Sequence, residues 1–165
     1  MALASTVQNP FAFLLEFPDE RAVQARPDVL TFTGETVRRP LDLAGPVTAR
    51  LKVATDGPSM HMFAKLIDVS PYGHAVMLLR GQACVTGSAA QETDLYLGHT
   101  GYRVEPGHRL RLQLSSSDFP LYIAHPGTDE NPWFATATRT NRQTLLTGGA
   151  AAFHITLTVL GSDGG

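Results

Sequence analysis

Apolar residues fall on every second position from Val47 to Val53, where Val47, Ala49, Leu51 and Val53 are separated by Thr48, Arg50 and Lys52. A period of two places the two sets on opposite faces of an extended strand, whereas a helix needs a period near 3.6. The pattern returns from Arg109 to Leu114, which predicts Leu110, Leu112 and Leu114 inside and Arg109, Arg111 and Gln113 in water. It returns again near the end, with Phe153, Ile155, Leu157 and Val159 set against His154, Thr156 and Thr158. Threonine and β-branched residues suit such a pleated, half-buried surface. Three amphipathic strands imply one shared core.

Met60 to Val69 is apolar on both sides, with Met62, Ala64 and Leu66 facing one way and Phe63, Ile67 and Val69 the other, as in a central strand. Ser70-Pro71-Tyr72-Gly73 follows, combining a fixed φ with a permissive glycine, and Ala75 to Leu79 resumes an apolar run. That is the chemistry of a hairpin. Asp56-Gly57-Pro58, Glu105-Pro106-Gly107 and His125-Pro126-Gly127 punctuate the chain in the same way, and no stretch sustains helical periodicity over three turns. Charged residues are 17% of the chain, below the usual quarter, and 15 Gly and 11 Pro are spread along it. The reading is an all-β sandwich of the jelly-roll or Greek-key kind. Its 165 residues suit one domain. Residues 1–18 are read as an extension or first strand, because Phe11 to Leu15 is apolar but lacks a signal peptide's basic start and cleavage site. Residues 19–160 form the sandwich, and 161–165 a flexible tail.

A net charge of −2 and a pI near 6.3 give no positive field for a phosphate backbone, so nucleic acid is not an expected partner. No apolar run approaches the roughly 20 residues of a membrane-crossing helix, so a soluble chain without a membrane partner is expected. Cys84 is the sole cysteine, which excludes an internal disulfide and the thiolate pairs of structural zinc sites. A reducing, cytoplasmic location is compatible with it.

Four segments, in this order, carry a resemblance: DERAVQARPDVLTFT (Asp19 to Thr33), PLDLAGPVTARLKV (Pro40 to Val53), AKLIDVSPYG (Ala64 to Gly73) and GHRLRLQLSSSDFP (Gly107 to Pro120). The last is the most specific, a basic amphipathic strand running into Ser-Ser-Asp-Phe-Pro. Together they resemble the C-terminal, non-catalytic domain of the X-Pro dipeptidyl-peptidase and cocaine-esterase family of α/β-hydrolases. The resemblance implies a jelly-roll, galactose-binding-domain-like sandwich beside an α/β-hydrolase catalytic domain, supplied in cis or in trans, with a homo-oligomer as a further arrangement. Family members hydrolyse esters or release X-Pro dipeptides with a Ser-His-Asp triad whose serine sits on a G-x-S-x-G elbow. No triad position carries over. The nearest string, Gly57-Pro58-Ser59-Met60-His61, has histidine where the elbow needs glycine. The chain departs from the family at Met1 to Pro18, and at Thr86 to Thr93, which is short and polar where a longer strand pair is expected.

Ser115, Ser116, Ser117 and Asp118, with His108 nearby, supply the residue types of a nucleophile, base and orienter, and a self-contained hydrolase would use Ser117, His108 and Asp118. Local bonds to backbone amides that shape a loop are the preferred reading. Phe119 is assigned to the core ahead of an interface. The expected interface toward a catalytic domain is Ser117, Asp118, Phe119, Tyr122 and Trp133, and no catalytic, cofactor or metal residue is assigned. His61, His74, His99, His108, His125 and His154 show no paired ligand spacing, and Asp129 with Glu130 reads as a solvated loop rather than a calcium site. Trp133, Phe134, Tyr122 and Tyr102 are the rings a carbohydrate-binding alternative would use. Arg109, Arg111, Arg139 and Arg142 read as a solvated face.

Overall fold

A computed structural model describes residues 19–149 and 153–161; the strand expected at Phe11 to Leu15 and all but the first residue of the expected tail lie outside them. A short helix, α1 (Arg21–Gln24), precedes eight strands: β1 (Leu30–Thr36), β2 (Leu41–Thr55), β3 (Ser59–Val69), β4 (Ala75–Thr86), β5 (Gln91–Val104), β6 (Arg109–Ser115), β7 (Gln143–Leu145) and β8 (His154–Val159). They form two antiparallel sheets. One has the order β1-β6-β3-β4, and the other β5-β2-β7, with β8 also paired to β2. The chain is an all-β sandwich.

The alternation read from the sequence sets the core. Val47, Ala49, Leu51 and Val53 of β2 and Leu95 and Leu97 of β5 meet Met60, Met62, Ala64 and Leu66 of β3, Val85 of β4 and Leu112 and Leu114 of β6 in one buried cluster. β3 is central, its edges paired to β6 and β4, and nearly all its residues on both faces are buried. The hairpin at Ser70 to Gly73 joins β3 to β4, with Gly73 at φ +85° and its N–H donating to the Ser70 carbonyl at 2.9 Å. Where the chain passes between sheets, β4 comes close to β5: a Cβ on Gly81 would sit 2.3 Å from the Tyr96 carbonyl oxygen, so only glycine fits. Polar Thr86 to Thr93 divides between the end of β4, a turn and the start of β5, and both strands are long, at 12 and 14 residues.

The two outer faces differ. That of the β5-β2 sheet is charged and solvated, crossed by Arg50 to Asp94 and Arg103 to Asp42 ion pairs between directly opposed residues. That of the β1-β6-β3-β4 sheet is roofed by residues 19–29 and by the long connection from β6 to β7. Gln113, expected in water, is consequently 1% exposed. Glu20 of the roof covers the outward face of β6 at Gln113, while Arg109 at the start of the strand stays exposed.

Candidate functional site

Successive outward residues of β3 each meet a partner from the roof. Phe63 packs against Tyr122, ring centroids 5.0 Å apart, and His61 against His125 at 4.6 Å. Between the loops, Lys65 is buried with its Nζ 3.2 Å from Glu20 and 3.0 Å from Asp118. Its neighbours in the ladder complete the network. Arg80 of β4, directly opposite, donates to the other oxygen of Asp118 at 2.9 Å, and Gln113 of β6 donates to Glu20 at 3.1 Å. Two anions thus bridge two cations and an amide, which satisfies charges that burial alone would make costly.

At one end of this row stand His61, Cys84 and His125, each with one ligand atom within 4.8 Å of the others. His61 and Cys84 are directly opposed across β3 and β4. His61 Nδ1 is shielded from solvent and has no hydrogen-bond partner. Burial, then the neighbouring His125, pushes the His61 imidazole below its ordinary value, and burial acts the same way on His125. The tautomer of His125 follows from its contacts. Ser59 Oγ donates to the Thr128 carbonyl at 3.1 Å, so it accepts from His125 Nε2 at 3.3 Å, while His125 Nδ1 accepts the Gly127 N–H at 3.0 Å. Asn141 Nδ2 donates to the Ser59 and Gly127 carbonyls, tying this turn to the start of β3.

At the far end of the sandwich, buried Asp68 accepts from Tyr102 at 2.7 Å and contacts His108 Nδ1 at 2.9 Å. Desolvation, reinforced by the carboxylate, pushes the Tyr102 phenol up to about 12 from 10.0. The folded value lies above the unfolded one, so the stability contributed by the neutral phenol is complete below pH 10 and is lost as pH rises toward 12. In an ultraviolet pH titration one of the four tyrosines is expected to ionise near pH 12, and that step to vanish in Tyr102→Phe. An unchanged titration in the variant would remove the assignment.

The residues of a self-contained hydrolase are not brought together. His108 is spent on Asp68, Asp118 on Lys65 and Arg80, and Ser117 Oγ on the Phe119 N–H at 3.4 Å. His125 has a serine and no carboxylate, and His108 a carboxylate and no serine. Asp118 differs from the expected loop-shaping role as well, because its carboxylate is 11% exposed inside the ion network while only its backbone carbonyl serves the local turn. Phe119, expected in the core, is 73% exposed, since its strand has ended and the loop turns it outward. Tyr122 lies on Phe63, Tyr102 is held apart at Asp68, and Trp133 and Phe134 are 74% and 80% exposed. Arg109, Arg139 and Arg142 are exposed, in keeping with a solvated face, with Arg109 donating to Thr36, Arg139 to the Asp56 carbonyl and the Arg142 backbone amide to the Asp56 carboxylate, while half-buried Arg111 donates to Thr33 and Gln24. Glu130 accepts the Thr136 N–H, an intraloop bond.

The described residues thus make a roofed β-sandwich in which no Ser-His-Asp triad is assembled. The chain belongs to the family of X-Pro dipeptidyl-peptidase C-terminal non-catalytic domains, whose match runs over residues 3–156. It is 32% identical over 122 residues to cocaine esterase of Rhodococcus sp. (strain MB1 Bresler), a match covering 67% of this chain and 21% of that protein. Among solved structures it is similar to an aminopeptidase from the marine sediment archaeon Thaumarchaeota archaeon, with a TM-score of 0.81 and 27% identity over 88% of this chain and 28% of the other. An α-amino acid ester hydrolase gives a TM-score of 0.81 and 28% identity over 86% of this chain and 27% of the other. The chain therefore spans between a fifth and a third of the length of these relatives.

Proposed function

We propose that the chain is the accessory β-sandwich of a serine hydrolase of the ester- or peptide-cleaving kind, packed against an α/β-hydrolase domain that carries the chemistry. The observation that carries this is four exposed apolar side chains on the β6–β7 connection, Phe119, Leu121, Trp133 and Phe134, in a family of C-terminal non-catalytic domains. Exposed large rings grouped on one segment mark a covered surface. A cytoplasmic location belongs to the same proposal and rests on the single cysteine.

The test pairs the 165-residue chain with the α/β-hydrolase domain that the proposal requires in the same gene or beside it, and measures association by sedimentation. Binding is expected, and Trp133→Ser with Phe134→Ser is expected to weaken it by about 2 kcal/mol or more, roughly 30-fold, as for buried aromatic anchors. Equal affinity in the double variant, or no association, would overturn the reading. Trp133 and Phe134 also favour a second reading, a sugar-stacking platform, and Trp133-dependent binding on a glycan array would put that reading in its place. Self-association through the same rings would instead assign their cover to a second copy.

A further inference from the structure

We propose that His61, Cys84 and His125 form a Zn²⁺ site that clamps the β6–β7 connection onto β3 and β4. The three come from separate parts of the fold, two from opposed positions of a ladder and one from the roof, yet their ligand atoms lie within 4.8 Å of one another. Tetrahedral zinc, with bonds of about 2.0–2.3 Å, sets its donors roughly 3.3–3.6 Å apart. The cluster therefore closes on the ion by movements of about 1 Å, within reach of side-chain rotation.

The chemistry of the donors selects the ion. Two imidazoles and a thiolate suit zinc and exclude magnesium and calcium, which take oxygen. The shielded Nδ1 of His61 has no hydrogen-bond partner from the protein, and in the tautomer protonated at Nε2 it offers its lone pair to a metal ion. His125 already carries its proton on Nε2, held by Ser59 Oγ, so its lone pair resides on Nδ1. Ligation there exchanges the Gly127 bond for a metal bond and keeps Ser59 as the outer partner that fixes a ligand imidazole. Cys84 is exposed and provides the entry path. On binding, its S–H bond breaks, the proton leaves to solvent, and the sulfur lone pair forms the Zn–S bond with no change of oxidation state. Three protein ligands leave a fourth position for water. The ion would add metal bonds to the contacts that already hold His125 against Ser59 and His61 of β3.

The untagged full chain, kept reduced, is titrated with Co²⁺ and then with Zn²⁺. One equivalent of Co²⁺ is expected to bind with visible ligand-field absorption and a thiolate-to-cobalt charge-transfer band, both removed by Zn²⁺. Cys84→Ser is expected to abolish the charge-transfer band. His61→Gln and His125→Gln are each expected to weaken Zn²⁺ binding by at least about 10- to 100-fold, since losing even an outer partner costs that much. Cys84 and His125 lie on an exposed strand position and a loop, so their variants keep the test intact if His61→Gln does not fold. No stoichiometric binding, or a spectrum unaltered by Cys84→Ser, would overturn the site.

Discussion

Lys65→Met is expected to lower the unfolding free energy by about 3–5 kcal/mol, the usual consequence of removing one member of a buried ion pair. Methionine keeps the length and the apolar stem, so packing is largely conserved. What is lost is the cation shared by Glu20 and Asp118, both buried or nearly so. Arg80 still neutralises Asp118, but Glu20 keeps only the Gln113 amide. An uncompensated carboxylate in that position is the source of the cost. Out of the 5–15 kcal/mol or so available to a domain, the loss is large. Urea unfolding measures it, with Glu20→Gln combined with Lys65→Met as the discriminating control. The double variant removes the orphaned charge and is expected to recover part of the loss, because the penalty lies in breaking the network rather than in its absence. A single-variant loss under about 1 kcal/mol would show that solvent reaches the carboxylates. Arg50→Ala, which breaks an exposed cross-strand pair, is expected to change little by comparison.

Lys65 also shows where a sequence stops being legible. The β3 segment reads correctly as two-sided and central, because Phe63, Ile67 and Val69 cannot all face water. Lys65 sits in that same outward row, and nothing local says whether its charge points to solvent or to a carboxylate. Its partners lie 45 residues before and 53 after it, and only the roof brings them together. Gln113 fails for the same reason. Alternation identifies which residues share a face, but whether the polar face is wet depends on what later crosses it.

The metal cluster was hidden by a smaller device. Counting back from the hairpin at Ser70 to Gly73 in ideal register pairs Val69 with Ala75 and would set Cys84 opposite Met60, on the inner face. A bulge between Leu66 and Ile67 shifts the ladder by one residue and puts Cys84 opposite His61 on the outside. The third member, His125, belongs to a turn whose direction no periodicity encodes. Strand cores, the hairpin and the family resemblance were readable because they rest on local pattern. The ion network and the histidine cluster were not, because they rest on a register slip and on a long connection folding back.

Leu66→Ala is expected to cost about 3–5 kcal/mol, the range for deleting a fully buried leucine that leaves a cavity behind. The magnitude within that range depends on whether neighbours can collapse into the space. Leu66 is buried at the middle of the central strand, opposite Leu112 of β6 on one side and Leu79 of β4 on the other. Both neighbours are fixed by ladder hydrogen bonds, and the facing layer is β2, itself held between β5 on one edge and β7 and β8 on the other. A backbone so tied relaxes little, which argues for the upper half of the range. At about 2–4 °C per kcal/mol for a chain of this size, the melting point is expected to fall by roughly 8–20 °C. The urea midpoint should drop with the slope unchanged, since the same surface is exposed on unfolding. Leu121→Ala, on the exposed connection, serves as the control and is expected to be near neutral in the isolated chain. Should Leu66→Ala cost no more than that control, the two sheets would have to close over the vacated volume, and the rigid two-layer core would be the wrong description of this molecule.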